Sequence, residues 1–308
     1  MRGLFLALVC SASVLANSYM AWDSKLMPMD VVWGEEAVDA DPTLINGTVP
    51  DMKKFQASVW VGNCTATVVG PRALVYAAHC TNGRVAFSVG PSRYTGKCST
   101  AREYSGNSTA DYALCVLDQE VKGIEFETIN TDPNYLSVGD KVLLSGFGCT
   151  RPGGRGGIDG QYWVGPASVT RLPSGSNNDI VTKNGAALCF GDSGGPAWKL
   201  LPGGERGKQI SVNSRGDIAT TSYLSSLSTD TFDRFLKSWM SSNPGVEVCG
   251  VTPSLRGCLG DKPEEPVMFD LVGAVAKLRV TILPGSPFTE EQAKRVLGVH
   301  LNVLGGVK

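Results

Sequence analysis

The chain holds two histidines, His79 and His300, and one serine set among glycines, Ser193 in GDSGGPAW, residues 191 to 198. A serine hydroxyl is a poor nucleophile at neutral pH. It needs a base to take its proton and a third group to orient that base. Imidazole suits the first task because its pKa lies near neutrality. Gly191, Asp192, Gly194, Gly195 and Pro196 around Ser193 have the composition of a surface turn. The same composition serves a site in which backbone N–H groups must come close to a reacting atom. His79 ends the apolar stretch VYAAHC, beside Cys80, and a bridge from Cys80 to Cys64 in NCTATVV would pin its loop. His300 lies in the alternating stretch VHLNVL and reads as a packed or solvated residue, which leaves His79 as the candidate base. The orienting acid should stand at the edge of an apolar strand. Asp111 in ADYALCVL fits, while Asp118 and Asp140 compete although both look like turn acids.

These residues need a scaffold. From about residue 44, short segments such as ASVWVG, ALVYAA, YALCVL and KVLLSGFG alternate with clusters of Gly, Pro, Asn and Ser. That texture predicts an antiparallel β-sandwich or barrel. One helix is predicted at the end of this block, capped by Thr229-Asp230, with Phe232, Phe235, Leu236 and Trp239 at helical spacing. Residues 244–308 read as a C-terminal extension of small α+β character. In it Cys249 and Cys258 could staple a loop, AKLRVTIL and VHLNVL read as strands, and TEEQAKRVL reads as a short helix with Thr289 and Gln292 placed like a capping box.

The totals bound the function. The 308 residues carry a formal net charge of −1 and 42% apolar side chains, which gives a packed core and no basic surface for nucleic acid. Arg2, the apolar run Leu4 to Val9 and Val14-Leu15-Ala16 form a secretory signal cut after Ala16, too short to span a membrane. Residues 17–43 are acidic and irregular and read as a propeptide or N-terminal arm. Once Cys10 leaves with the signal, eight cysteines remain, an even number that suits disulfides in an exported protein. Zinc is disfavoured because no CxxC pair occurs and histidine is scarce. The expected location is secreted or extracellular, or periplasmic in a bacterium, with no cofactor and no metal. Asn46, Asn63 and Asn107 begin N-x-Ser/Thr sequons, of which Asn107 is the favoured glycan site.

VYAAHC, DYALCVL, LSGFG and CFGDSGGPAW follow one another in this order, and together they resemble the trypsin/chymotrypsin-like serine endopeptidases over residues 44–243. The resemblance implies two six-stranded antiparallel β-barrels followed by the C-terminal helix, with His79 and Asp111 on the first barrel and Ser193 on the second. It implies Ser193 as nucleophile, His79 as general base, Asp111 as orienting carboxylate, and the N–H groups of Gly191 and Ser193 as the oxyanion hole. The implied partner is a protein or peptide substrate, met by a monomer without a membrane span. The implied disulfides are Cys64–Cys80, Cys98–Cys115, Cys149–Cys189 and Cys249–Cys258.

Three departures accompany the resemblance. In the family a freed amine pairs with the acid before the nucleophile; LINGT makes Leu44 its source and Asp192 its partner. Thr43, not Arg or Lys, precedes that start, so either an activating protease of another specificity cuts there or the chain matures in a different way. The primary pocket would be lined by Ala187, Ser214, Gly216 and Thr221. With no acid at Ala187 it should favour small or medium apolar side chains over Lys and Arg. Arg215 takes the place of a tryptophan and could reach into the cleft to favour acidic residues. Finally, residues 210–228 lack the cysteine that usually partners Cys189, and Cys149 would take its place. The competing class is a silent or zymogen-locked homologue that uses the cleft for binding; a secreted esterase of the same fold is a third reading.

Overall fold

The structure, a computed structural model, describes residues 44–154, 158, 160–253 and 255–259. The signal segment, the arm 17–43, the predicted strands AKLRVTIL and VHLNVL, the helix TEEQAKRVL and His300 lie outside the described residues.

The alternating short strands form two antiparallel units. The first contains β1 (Ser58–Val61), β2 (Cys64–Gly70), β3 (Ala73–Tyr76), β4 (Arg84–Val89), β5 (Ser92–Thr100) and β6 (Ala113–Leu117), hydrogen-bonded in the order β1-β2-β3-β6-β5-β4. Its two edges, β1 and β4, lie against each other and close the barrel by packing. A short strand β7 (Phe126–Glu127) follows. The second unit contains β8 (Lys141–Gly146), β9 (Trp163–Arg171), β10 (Asp179–Lys183), β11 (Pro196–Leu200), β12 (Arg206–Gly216) and β13 (Ser222–Ser226), and closes through hydrogen bonds in the order β10-β13-β12-β11-β8-β9. The two six-stranded barrels are thus the architecture that the resemblance implies.

Core composition follows the strand pattern. β2 and β3 are buried along their whole lengths because one face fills the barrel and the other meets the second barrel and the helix. β4 alternates exposed and buried, as an outer strand with one wet face does. Helix α1 (Asp230–Ser242) is capped by Thr229, whose hydroxyl accepts from Phe232 N, and it buries Phe232, Leu236 and Trp239. Its Phe232 meets the ring of Tyr112 edge-on at 5.1 Å. The helix therefore braces the residue next to Asp111.

After the helix the chain turns back onto the first barrel. Cys249 N donates to Val69 O (2.7 Å), Ile129 N donates to Cys249 O (3.0 Å), and β14 (Cys258–Leu259) pairs in parallel with β7. Disulfides join Cys64–Cys80, Cys98–Cys115, Cys149–Cys189 and Cys249–Cys258. Of the sequon asparagines, Asn63 is exposed in the β1–β2 turn, whereas Asn107 spends its amide on Ser176 O (2.7 Å) and is half-buried.

Candidate functional site

His79 sits in a short turn, Ala78–Cys80, that continues the buried strand β3. Cys80 is bound to Cys64 at the start of β2, so both ends of the turn are anchored. Asp111 lies just ahead of β6, the neighbour of β3 in the sheet, and pairing of β3 with β6 brings it to His79. Asp111 Oδ2 lies 2.6 Å from His79 Nδ1, and Oδ1 accepts from the backbone N–H of His79 at 2.9 Å. Both side chains are about 95% shielded, at 5% and 3% exposure. Ser214 on β12 adds its hydroxyl to Asp111 Oδ2 at 2.6 Å. Burial alone would raise the Asp111 pKa. The charge of His79 and the bonds from His79 and Ser214 outweigh burial and hold it below the ordinary carboxylate range. With Nδ1–H directed to an ionised Asp111, Nε2 carries the free lone pair that a base needs.

The competing acids are engaged elsewhere. Asp118 is exposed and accepts from Thr95 Oγ1. Asp140 accepts from Ser137 N and pairs with Lys199 Nζ at 2.8 Å.

Ser193 lies in the loop that precedes β11, and that loop is clamped to the first barrel. Thr65 N donates to Ser193 O at 2.8 Å, and Thr65 Oγ1 donates to Gly191 O at 2.8 Å while accepting from Phe147 N at 3.0 Å. Gly191 and Gly194 adopt φ of +104° and +82°. A Cβ on Gly194 would stand 2.3 Å from Thr65 O and 2.8 Å from Tyr76 Cδ2, so only glycine fits between Ser193 and the strand end that carries His79. Among the described residues, neither Gly191 N nor Ser193 N donates a hydrogen bond, and no hydrogen bond joins His79 to Ser193. Catalytic contacts of this kind often form only with substrate bound.

Asp192 is wholly buried. Its Oδ1 accepts from Gly148 N (2.9 Å) and its Oδ2 from Cys189 N (2.8 Å). No cation pairs with it among the described residues, and burial raises its pKa to about 7 against the pull of those two bonds. Leu44 is buried in the core of the second barrel, and Ile45 O accepts from Ala187 N (3.1 Å).

The remaining pocket residues also come together. Ala187 is fully buried with Ile45, Cys149, Cys189 and Ile218. Thr221 is buried at the foot of the β12–β13 hairpin, its N–H bound to Asp217 Oδ1 (2.8 Å). Next to Ser193, the space between Leu188-Cys189 and Ser214-Arg215-Gly216 holds about 10 Å³. Arg215 does not reach freely into the cleft, contrary to the sequence expectation. Its guanidinium pairs with the buried Asp179, donates to Ser108 O (3.2 Å) and lies over the Tyr223 ring.

Sequence reasoning missed Thr65, Ile218 and the two glycines of LSGFG. A Cβ on Gly146 or Gly148 would fall 2.2 or 2.5 Å from Asp192 Oδ1. The motif was visible, but the reason for its glycines was not. The ligand-type cluster of Cys64, His79 and Cys80 is no metal site, because its two sulfurs are joined to each other.

Two barrels with a histidine–aspartate pair on one and a glycine-flanked serine on the other define a protein of trypsin-like fold. A family model described as Trypsin matches residues 45–225, more than half of the chain, and the chain belongs to that family. Solved structures similar to it include a mutant of human heparin binding protein (CAP37), with a TM-score of 0.50 and 18% identity over 65% of this chain and 98% of the other. An atomic-resolution structure of HBP gives a TM-score of 0.51 at 19% identity, with the same coverage. No curated protein sequence matches the chain.

Proposed function

We propose that this trypsin-family domain is a secreted serine endopeptidase that cleaves peptide bonds after small or medium apolar residues. The observation that carries the reading is the Asp111 carboxylate, which receives His79 Nδ1, His79 N and Ser214 Oγ at 2.6 to 2.9 Å while Thr65 holds the Ser193 loop against the same barrel. In this reading His79 Nε2 takes the Ser193 proton as Oγ adds to the substrate carbonyl carbon. The N–H groups of Gly191 and Ser193 bind the resulting oxyanion. Collapse breaks the C–N bond, the amine leaves with the proton from His79, and water hydrolyses the Ser193 ester by the same steps. Asp111 stays ionised throughout. Ala187 offers no carboxylate for Lys or Arg. Four disulfides support secretion, and in the described residues no helix is long and apolar enough to cross a membrane. Maturation would cut before Leu44 and bring its amine to Asp192.

The second reading, a homologue that binds without turnover, is favoured by the absence, among the described residues, of a His79–Ser193 hydrogen bond and of a cation at Asp192. A fluorophosphonate probe decides between them. Protein beginning at Leu44 should label, and its Ser193→Ala variant should not. Equal labelling of both, or none by either, rejects the endopeptidase.

A further inference from the structure

Asp111 belongs to the first barrel, but the chain just ahead of it is held from the second. Asn107 Nδ2 donates to Ser176 O (2.7 Å), and Thr109 Oγ1 accepts from Asn178 N (2.9 Å), both in the loop between β9 and β10. A third tie comes from Arg215 on β12. Its Nη1 donates to Ser108 O (3.2 Å) and to Ser214 Oγ (3.3 Å), and Ser214 in turn donates to Asp111 Oδ2 (2.6 Å). One guanidinium therefore touches both the loop that carries the carboxylate and the hydroxyl that binds it. That guanidinium is itself fixed. Its Nη2 pairs with Asp179 at the start of β10, and it lies 5.3 Å from the centroid of the Tyr223 ring on β13. The Asp179 side chain is 1% exposed, and its other oxygen, Oδ1, has no hydrogen-bond partner among the described residues. A buried carboxylate in that state needs its cation close, so Asp179 keeps Arg215 in place. An arginine free of such a partner samples many rotamers and keeps its charge in water. Held here, it presents Nη1 in one direction only. Donation into the Ser214 hydroxyl also polarises it and strengthens the bond that it donates onward.

We propose that Arg215, locked by Asp179, is a positioning residue for the Asp111–His79 pair: it fixes the loop at Ser108 and the hydroxyl of Ser214, so that Asp111 faces His79 Nδ1 across the junction of the two barrels. The proposal rests on the endopeptidase reading and adds to it an ion pair outside His79, Asp111 and Ser193. Among the described residues neither Arg215 nor Asp179 hydrogen-bonds to His79 or Ser193, so the effect passes through Ser108 and Ser214.

The test compares wild type, Arg215→Lys and Arg215→Met/Asp179→Asn, each as full chain matured at Leu44. Lysine keeps a charge beside Asp179 but lacks the fork that reaches Ser108 and Ser214 as well. The double variant removes both charges and strands neither; if it fails to fold, Arg215→Lys carries the test. In the first arm a fluorophosphonate is varied in concentration. The maximal labelling rate of Ser193 should fall about 10-fold in both folded variants, while the half-saturating concentration stays within about 2-fold of wild type. In the second arm the same changes are made in Ser193→Ala protein, and the Nδ1 proton of His79 is followed by NMR. It should move upfield as its bond to Asp111 weakens. Folded variants that label at the wild-type rate overturn the proposal, whatever the proton does. Slower labelling with an unmoved proton overturns it too, since Arg215 would then act on the probe and not on Asp111. A proton that moves, in a protein whose Ser193 never labels even as wild type, upholds the positioning role and rejects the endopeptidase.

Discussion

Thr65 on the first barrel donates its backbone N–H to the carbonyl of Ser193 on the second at 2.8 Å, and its hydroxyl ties down Gly191 two residues earlier. The loop that offers the nucleophile is thus held by the strand that starts at Cys64, the disulfide partner of the residue beside His79. Replacing Thr65 by valine keeps the volume and the N–H but removes the hydroxyl bridge between Gly191 O and Phe147 N. We expect a loss of stability of about 1–2 kcal/mol, the cost of buried partners left unpaired. We also expect a roughly 10-fold slower fluorophosphonate labelling of Ser193, with Thr65→Ser close to wild type. Unchanged labelling by Thr65→Val would remove the clamp from the account.

Asp111 receives three hydrogen bonds and ionises below 3.8. Asp111→Asn turns an acceptor toward His79 into a group that also donates, which favours the wrong imidazole tautomer. A fall in kcat of about 10⁴ is expected, as for this carboxylate in the serine-protease template. Because the carboxylate stays ionised above its depressed pKa, loss of activity between pH 7 and 5 should not track it. An acid limb above the ordinary carboxylate range that disappears in Asp111→Asn would contradict that assignment.

Asp192 gives a stability signature in the uncleaved chain. Its pKa rises from 3.8 to about 7 on folding because of burial. Between those values the folded protein holds a proton that the unfolded chain has released, so stability falls as pH rises through the window. The full effect is on the order of 4 kcal/mol at 1.36 kcal/mol per unit. Urea unfolding of wild type and Asp192→Asn from pH 4 to 8 should show the wild type losing ground to the variant over this span. Cleavage before Leu44 should abolish the loss, since an ammonium would then hold the carboxylate charged.

Arg215 and Asp179 form a pair with 14% and 1% side-chain exposure. Burial lifts Asp179 to about 6 even with the guanidinium beside it. Arg215→Met strands the carboxylate, and a loss of about 3–5 kcal/mol is expected near neutral pH. The loss should shrink at pH 5, where the raised Asp179 is protonated in the folded state. Arg215→Met/Asp179→Asn should recover most of it. Thermal unfolding at the two pH values measures both effects, and a loss independent of pH would mean that packing over Tyr223, not charge, is what Arg215 supplies.

Much of the molecule was legible in the chain because local signals are repeated and redundant. Strand texture, the Thr229 cap and the apolar stripe of α1 each reflect nearest-neighbour physics, and each matches the observed element. The ordered motifs around His79, Asp111 and Ser193 supplied the two-barrel architecture. The hairpin at Asp217–Thr221 was not legible. Nothing in DIATT announces that its isoleucine turns inward, because the direction comes from three N–H groups converging on one carboxylate. Arg215 was misread for a related reason: its partner Asp179 is 36 residues away in sequence and adjacent only across the closed barrel.

By itself the sequence determined which residues could do chemistry and which strands and helix would carry them, since residue type and periodicity are properties of a short stretch of chain. Only the tertiary structure decided what those residues meet. The neutral Ala187 was readable in the chain, yet that Ile218 packs against it was not. Arg215 was readable as a cation, yet Asp179 claims it. Distances between residues far apart in sequence are set by how two barrels close and abut, and no local pattern encodes them.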